Sequence, residues 1–103
     1  MAFETTASIT TWGRQTFGPV DDLGRLINRA AEEFTELRAA FDSGDRDEMI
    51  CEAADVVILL HRLVGEQGRD LAAAIDAKMQ INRSRQWRTT GDGVGAHIKP
   101  ETE

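Results

Sequence analysis

A chain of 103 residues with 41% hydrophobic and 29% charged content has the size and make-up of one small globular domain. Its net charge of −6 argues against a large surface for polymeric nucleic acid, which is normally basic, and its single cysteine, Cys51, excludes an intrachain disulfide. The longest apolar run, Val56 to Leu60, is far too short to span a membrane; no basic-then-apolar leader opens the chain and no Cys/His spacing suits zinc, so a cytoplasmic protein is expected.

The first predicted helix covers residues 5–17, with Ile9, Trp12 and Phe17 on one side, and Gly18-Pro19 ends it. Asp21 or Asp22 then caps a long helix to about Phe41. Its apolar stripe is Leu23, Leu26, Ile27, Ala30, Phe34, Leu37 and Phe41. Asp42-Ser43-Gly44-Asp45 is a turn. A third helix runs from about Asp47 to Val64 and is apolar nearly all round after Asp55, which predicts burial on several sides. Its β-branched run also suits a strand, but the Glu- and Ala-rich start and the length favour a helix. Gly65 to Gly68 breaks it, and Asp70 caps a fourth helix from Leu71 to about Trp87. The segment after that, with Gly91, Gly93, Gly95 and Pro100, reads as loop or arm. The expected fold is an all-α bundle of about four helices with short connections, residues 1–88, followed by a Gly-rich C-terminal arm, residues 89–103. A domain this small buries only about 60–65% of its unfolded surface, so a homo-oligomer, dimer or tetramer, is expected to complete it.

Two pairs of acids stand out inside the helical pattern. Glu33 and Glu36 form one, Glu52 and Asp55 the other, and residues at i and i+3 lie about 60° apart on a shared helix face. At roughly 100° per residue, Glu33 falls at the edge of the apolar stripe, Glu36 one step outward, and Glu32 on the opposite side. A solvated acidic face is the ordinary explanation for such a cluster, and it accounts well for Glu32. It accounts poorly for Asp55, which stands mid-helix between Ala53-Ala54 and five straight apolar residues, where a lone carboxylate is costly unless paired or bound to metal. Gathered carboxylates repel one another without a cation between them, and oxygen ligands alone select Mg²⁺ or Mn²⁺. Di-iron and di-manganese bundles need a Glu-x-x-His step; neither His61 nor His97 follows a Glu by three. Hard-cation chemistry on phosphates is therefore indicated.

The fourth helix supplies a complement. Leu71, Ile75, Lys78, Asn82 and Arg85 fall on one stripe that passes from apolar to basic. Lysine, an amide and a forked guanidinium suit phosphate oxygens. A basic last turn favoured by the helix dipole is the alternative, and it fits Arg83 and Arg88 best.

Together these residues resemble the MazG-like all-α nucleoside triphosphate pyrophosphohydrolases. That family's Glu-Glu-x-x-Glu, spacer, Glu-x-x-Asp pattern is met here by Glu32-Glu33-Phe34-Thr35-Glu36, fifteen intervening residues, and Glu52-Ala53-Ala54-Asp55. Short phage and bacterial members look similar at Trp12-Gly13-Arg14-Gln15-Thr16-Phe17-Gly18, from Lys78 to Trp87, and from Gly91 to His97. The resemblance implies Mg²⁺ ligands at Glu33, Glu36, Glu52 and Asp55, with Mn²⁺ able to substitute, and a role for Glu32 with the attacking water or a second ion. It implies phosphate binding by Lys78, Asn82 and, by position, Arg85. The implied reaction is hydrolysis of a nucleoside triphosphate, with a lean to dGTP or dATP, to the monophosphate and pyrophosphate, in a bacterial cell or in the host of a phage. Glu32 and Glu33 are the catalytic candidates. Two other readings stay open: a non-catalytic helical interaction module, and a relative that senses nucleotide without turnover.

Trp12 and Trp87 are candidates for stacking on a base, and Asn28 for reading a base edge; packing and surface roles compete with each. Gly91-Asp92-Gly93-Val94-Gly95 follows a helix instead of opening one, which removes the logic of a phosphate loop. Cys51 reads as a small packed residue, and His61 as a packing or surface residue.

Overall fold

The computed structural model describes residues 3–98. Four helices follow in order: α1 (Thr6–Phe17), α2 (Gly24–Asp42), α3 (Arg46–Gly65) and α4 (Leu71–Ser84). Two short strands, β1 (Trp87–Arg88) and β2 (Ala96–His97), then pair antiparallel, with Trp87 opposite His97. The chain forms two compact units, one through Ala72 and one from Ala73 onward.

In the first unit α2 and α3 form a helical hairpin across a tight turn. Gly44 takes φ 75°, a left-handed conformation that suits glycine, and the Asp45 carboxylate accepts the Glu48 N–H at 3.1 Å to start α3. The α2 start differs from expectation. Leu23 occupies the cap position without a side-chain bond, because Asp22 bends back and accepts from Gly24 N at 2.9 Å.

The contact stripe on α2 is also turned from the expected one. Its buried members are Leu26, Ala30 and Ala40, with half-buried Glu33 and Leu37 between them. Ile27, Phe34 and Phe41, expected inside, are 55%, 60% and 58% exposed. Small alanines let the two backbones approach, and that approach rotates the large side chains outward. On α3 the expected burial on several sides is not met within one chain: Ile50, Val57, Ile58 and Leu60 are exposed.

The helix α1 packs on α3 through small residues and a buried ion network. Arg62 is buried; its Nε donates to Glu66 Oε1 at 3.2 Å, its Nη2 donates to the Gly18 carbonyl at 2.9 Å, and its guanidinium lies over the Phe17 ring. Arg14 donates to Glu66 Oε2 through both Nε and Nη2. The Arg14 guanidinium first, and Arg62 after it, hold the Glu66 carboxyl below its usual range. Gly13 is needed for this approach, since a Cβ there would come 2.7 Å from Arg62 Nε. The Trp12–Gly18 segment thus has a structural role. Gly13 admits Arg62, Arg14 balances Glu66, and Phe17 and Gly18 close over the guanidinium. Thr6 anchors the start of α4. Its hydroxyl accepts the Leu71 N–H at 3.0 Å and lies 2.7 Å from His61 Nδ1 and 3.2 Å from Asp70 Oδ1.

The second unit is built on its own contacts. The helix α4 stops at Ser84, before the expected Trp87, because the chain extends there to pair with Ala96–His97. The Trp87 indole N–H donates to the Asn82 carbonyl at 2.6 Å, and its ring leans on His97 with centroids 5.5 Å apart. Part of the glycine-rich segment expected as loop is therefore the return of a small hairpin. No helix among the described residues is long and apolar enough to cross a membrane.

A Cβ at Gly65 would overlap the Thr10 hydroxyl and come 3.0 Å from the Thr10 Cβ. Gly65→Ala should therefore destabilise the fold by about 1–3 kcal/mol, the usual cost of overpacking, as measured by urea unfolding. A cost near zero would mean that α1 does not seat on α3 this way.

Candidate metal centre

The hairpin explains why the acid motifs are spaced as they are. Glu33 and Asp55 lie eleven residues before and after Gly44, and Glu36 and Glu52 lie eight before and after it. Two antiparallel helices place positions equidistant from their turn side by side. The acids line one cleft of about 610 Å³, walled by Arg29, Glu32, Glu33, Thr35, Glu36, Glu52 and Asp55.

Glu33, Glu52 and Asp55 each offer one carboxylate oxygen, and the three oxygens lie within 4.8 Å of one another. Glu33 sits in the contact stripe with its side chain 15% exposed. Glu52 is half-buried, and its Oε2 is closed off from solvent without a hydrogen-bond partner. Asp55, argued from sequence to be buried, is exposed, since the apolar residues after it are themselves only partly covered. The desolvated carboxylate is Glu52 instead. Glu36 and Glu32 are exposed on the cleft wall.

The electrostatics are those of a cluster short of positive charge. The neighbouring Glu48 carboxyl first, then desolvation, then Glu33 raise Glu52 from 4.5 to about 7. An orphaned, desolvated carboxylate oxygen beside two further carboxylates fits a hard divalent cation, so Glu33, Glu52 and Asp55 suit one as a donor set.

Sequence reasoning missed two members of this centre. Arg29 forks between the acids, with Nη1 2.8 Å from Glu32 Oε2 and Nη2 2.9 Å from Glu33 Oε1. Glu48 presses on Glu52 from one turn earlier on α3. Both were visible as spacings, since Arg29 precedes Glu32 and Glu33 by three and four residues and Glu48 precedes Glu52 by four.

Lys78, Asn82 and Arg85 belong to the second unit, the first exposed and the other two half-buried. The Asn82 backbone carbonyl holds the Trp87 indole. Trp12 is 54% exposed and meets Phe17 edge-on at 5.5 Å, and Asn28 is exposed on α2.

Comparison with known proteins gives a concordant picture. The sequence model of the dATP/dGTP pyrophosphohydrolase family matches residues 6–103. A dATP/dGTP diphosphohydrolase of Salmonella phage PMBT28 is 36% identical over 92 residues; the match covers 87% of this chain but only 29% of that protein. A dATP/dGTP diphosphohydrolase of Cyanophage S-2L is 37% identical over 95 residues, covering 92% of this chain and 86% of the relative. Among solved structures, the Cyanophage S-2L MazG-like pyrophosphohydrolase bound to dGDP and three catalytic Mn²⁺ ions per active site superimposes with a TM-score of 0.72 at 36% identity, over 92% of this chain and 90% of that one.

The raised Glu52 sets a pH dependence. Its protonated form is favoured in the folded protein, so its stabilising contribution is complete below 4.5 and is lost as pH rises through about 7. Metal-free protein should melt progressively lower across that window, and the fall should be smaller in Glu52→Gln. Binding of Mg²⁺ or Mn²⁺ should strengthen over the same interval with proton release, measurable by calorimetry in buffers of different ionisation enthalpy. A pH-independent affinity between pH 5 and pH 8 would contradict this account.

Proposed function

The chain belongs to the dATP/dGTP pyrophosphohydrolase family, and we propose that it hydrolyses a purine deoxynucleoside triphosphate, dATP or dGTP, to the monophosphate and pyrophosphate. The observation that carries this reading is the convergence of Glu33, Glu52 and Asp55 within 4.8 Å around an orphaned carboxylate oxygen. The preference for purine deoxynucleotides is supported by the names of its phage relatives and by the dGDP held in the structural neighbour. The reading places the reaction in the cytoplasm, with the free nucleotide as substrate.

In this reading Glu33, Glu52 and Asp55, with Glu36 beside them, hold Mg²⁺, and Mn²⁺ substitutes for it. When bound, such a cation neutralises phosphate charge and lowers the pKa of a coordinated water. Glu32, fixed on the cleft wall by Arg29, orients or deprotonates the attacking water. Lys78 and Arg85 grip the phosphates and stabilise charge on the leaving pyrophosphate, while Asn82 bonds a phosphate or sugar oxygen. The i, i+4 placement of Lys78 and Asn82 on α4, with Arg85 just past its end, supports this assignment.

Glu33→Gln, Glu36→Gln, Glu52→Gln and Asp55→Asn should each abolish release of pyrophosphate from a panel of the eight common ribo- and deoxynucleoside triphosphates, while the proteins remain folded. Wild type should turn over dATP or dGTP fastest. Near-normal turnover in Asp55→Asn would remove the metal assignment. Lys78→Ala should weaken binding of a non-hydrolysable triphosphate by roughly tenfold to hundredfold and leave nucleoside binding almost unchanged. Equal triphosphate affinity in the variant would leave Lys78 as a dipole-favoured helix end.

The protein is further proposed to work as a homo-oligomer, dimer or tetramer. Ile27, Phe34 and Phe41 recur at every seventh residue of α2 and are all exposed, and Ile50 and Val57 do the same on α3. Exposed apolar rows on two packed helices support this reading. Sedimentation should show a species heavier than 11.4 kDa at micromolar concentration, and Phe34→Glu should shift it toward the monomer. A wild-type monomer would rule this out.

A further inference from the structure

The acid cleft already contains a cation. Arg29 stands one turn before Glu32 and Glu33 on α2, donates to Glu32 and forms an ion pair with Glu33. Building on the metal reading above, we infer that Arg29 is an internal counter-ion that holds the metal-free cleft together and gives up Glu33 when a divalent cation binds.

Glu33 is the pivot. It is one of the three carboxylates that converge within 4.8 Å, and it is also the one whose Oε1 takes the Arg29 Nη2 at 2.9 Å. Arg29 is close enough to Asp55 for its charge to act there too. A divalent cation placed among these oxygens would stand against the guanidinium, and like charges at contact distance repel. An arginine cannot relieve that repulsion by losing a proton, so it must move. The means are present. Its side chain is 60% exposed, so water can receive the arm that leaves Glu33, while the other arm keeps Glu32 at 2.8 Å on the cleft wall. Without the cation, Arg29 offsets the mutual repulsion of Glu32 and Glu33. With the cation, that role passes to the metal.

The test is calorimetric titration of Mn²⁺ into nucleotide-free wild type, Arg29→Gln and Arg29→Lys, with melting curves for each. A lysine keeps the charge but cannot fork between two carboxylates. Both variants should melt lower than wild type without metal. Both should bind Mn²⁺ more tightly, by roughly twofold to fivefold, the range set by loss of one exposed ion pair. Tightening in Arg29→Gln alone would mean that only the distant charge matters, and it would overturn displacement. Unchanged or weaker binding in both variants would overturn it too: weaker binding would mean that Arg29 positions the carboxylates for the metal. No Mn²⁺ binding by wild type would remove the metal reading, and this inference with it.

Discussion

Bringing Glu33, Glu52 and Asp55 within 4.8 Å of one another works against the fold, and much of the first unit is arranged around that repulsion. The two longest helices lie across from each other where the acids meet. The cluster is tolerated through three local adjustments. Arg29 neutralises the α2 side, Glu52 leans toward its protonated form, and Asp55 and Glu36 stay in contact with water. On the proposed reading a divalent cation would reverse each adjustment, so that a destabilising feature of the free protein would serve as a binding determinant.

A second set of charges has the opposite effect. Arg14, Glu66 and Arg62 are matched to each other and to the Gly18 carbonyl, and they lock α1 onto α3. Of these, only Arg62 and Glu66 form a buried pair, and removing one member of such a pair costs about 3–5 kcal/mol. The two networks differ in purpose because they differ in balance. The α1 network is closed by its own partners, whereas the acid cleft holds an oxygen with none.

Stacked small residues give the first unit its geometry and leave the large ones outside. Ala30 and Ala40, beside Leu26, bring α2 onto α3, and Gly13 on α1 and Gly65 on α3 let those two helices approach. As a result Ile27, Phe34 and Phe41 face outward. An apolar stripe drawn from hydrophobicity alone selects the bulkiest side chains, but close helix packing selects the smallest.

The four helices, the turn at Gly44, the acid motifs and their common spacing were all legible in the sequence, because helical periodicity and capping are local and leave regular marks. Arg29 and Glu48 were written there too, as steps of three and four residues, but a spacing does not say which side chain completes a cluster. Which face of α2 meets α3, the exposure of Asp55, the desolvation of Glu52, and the use of the Trp12–Gly18 segment as a cover for Arg62 were decided only by tertiary structure. Each depends on how closely two backbones approach across a turn or between distant segments. That distance is set by the sum of all contacts between the helices, and no stretch of sequence carries it alone.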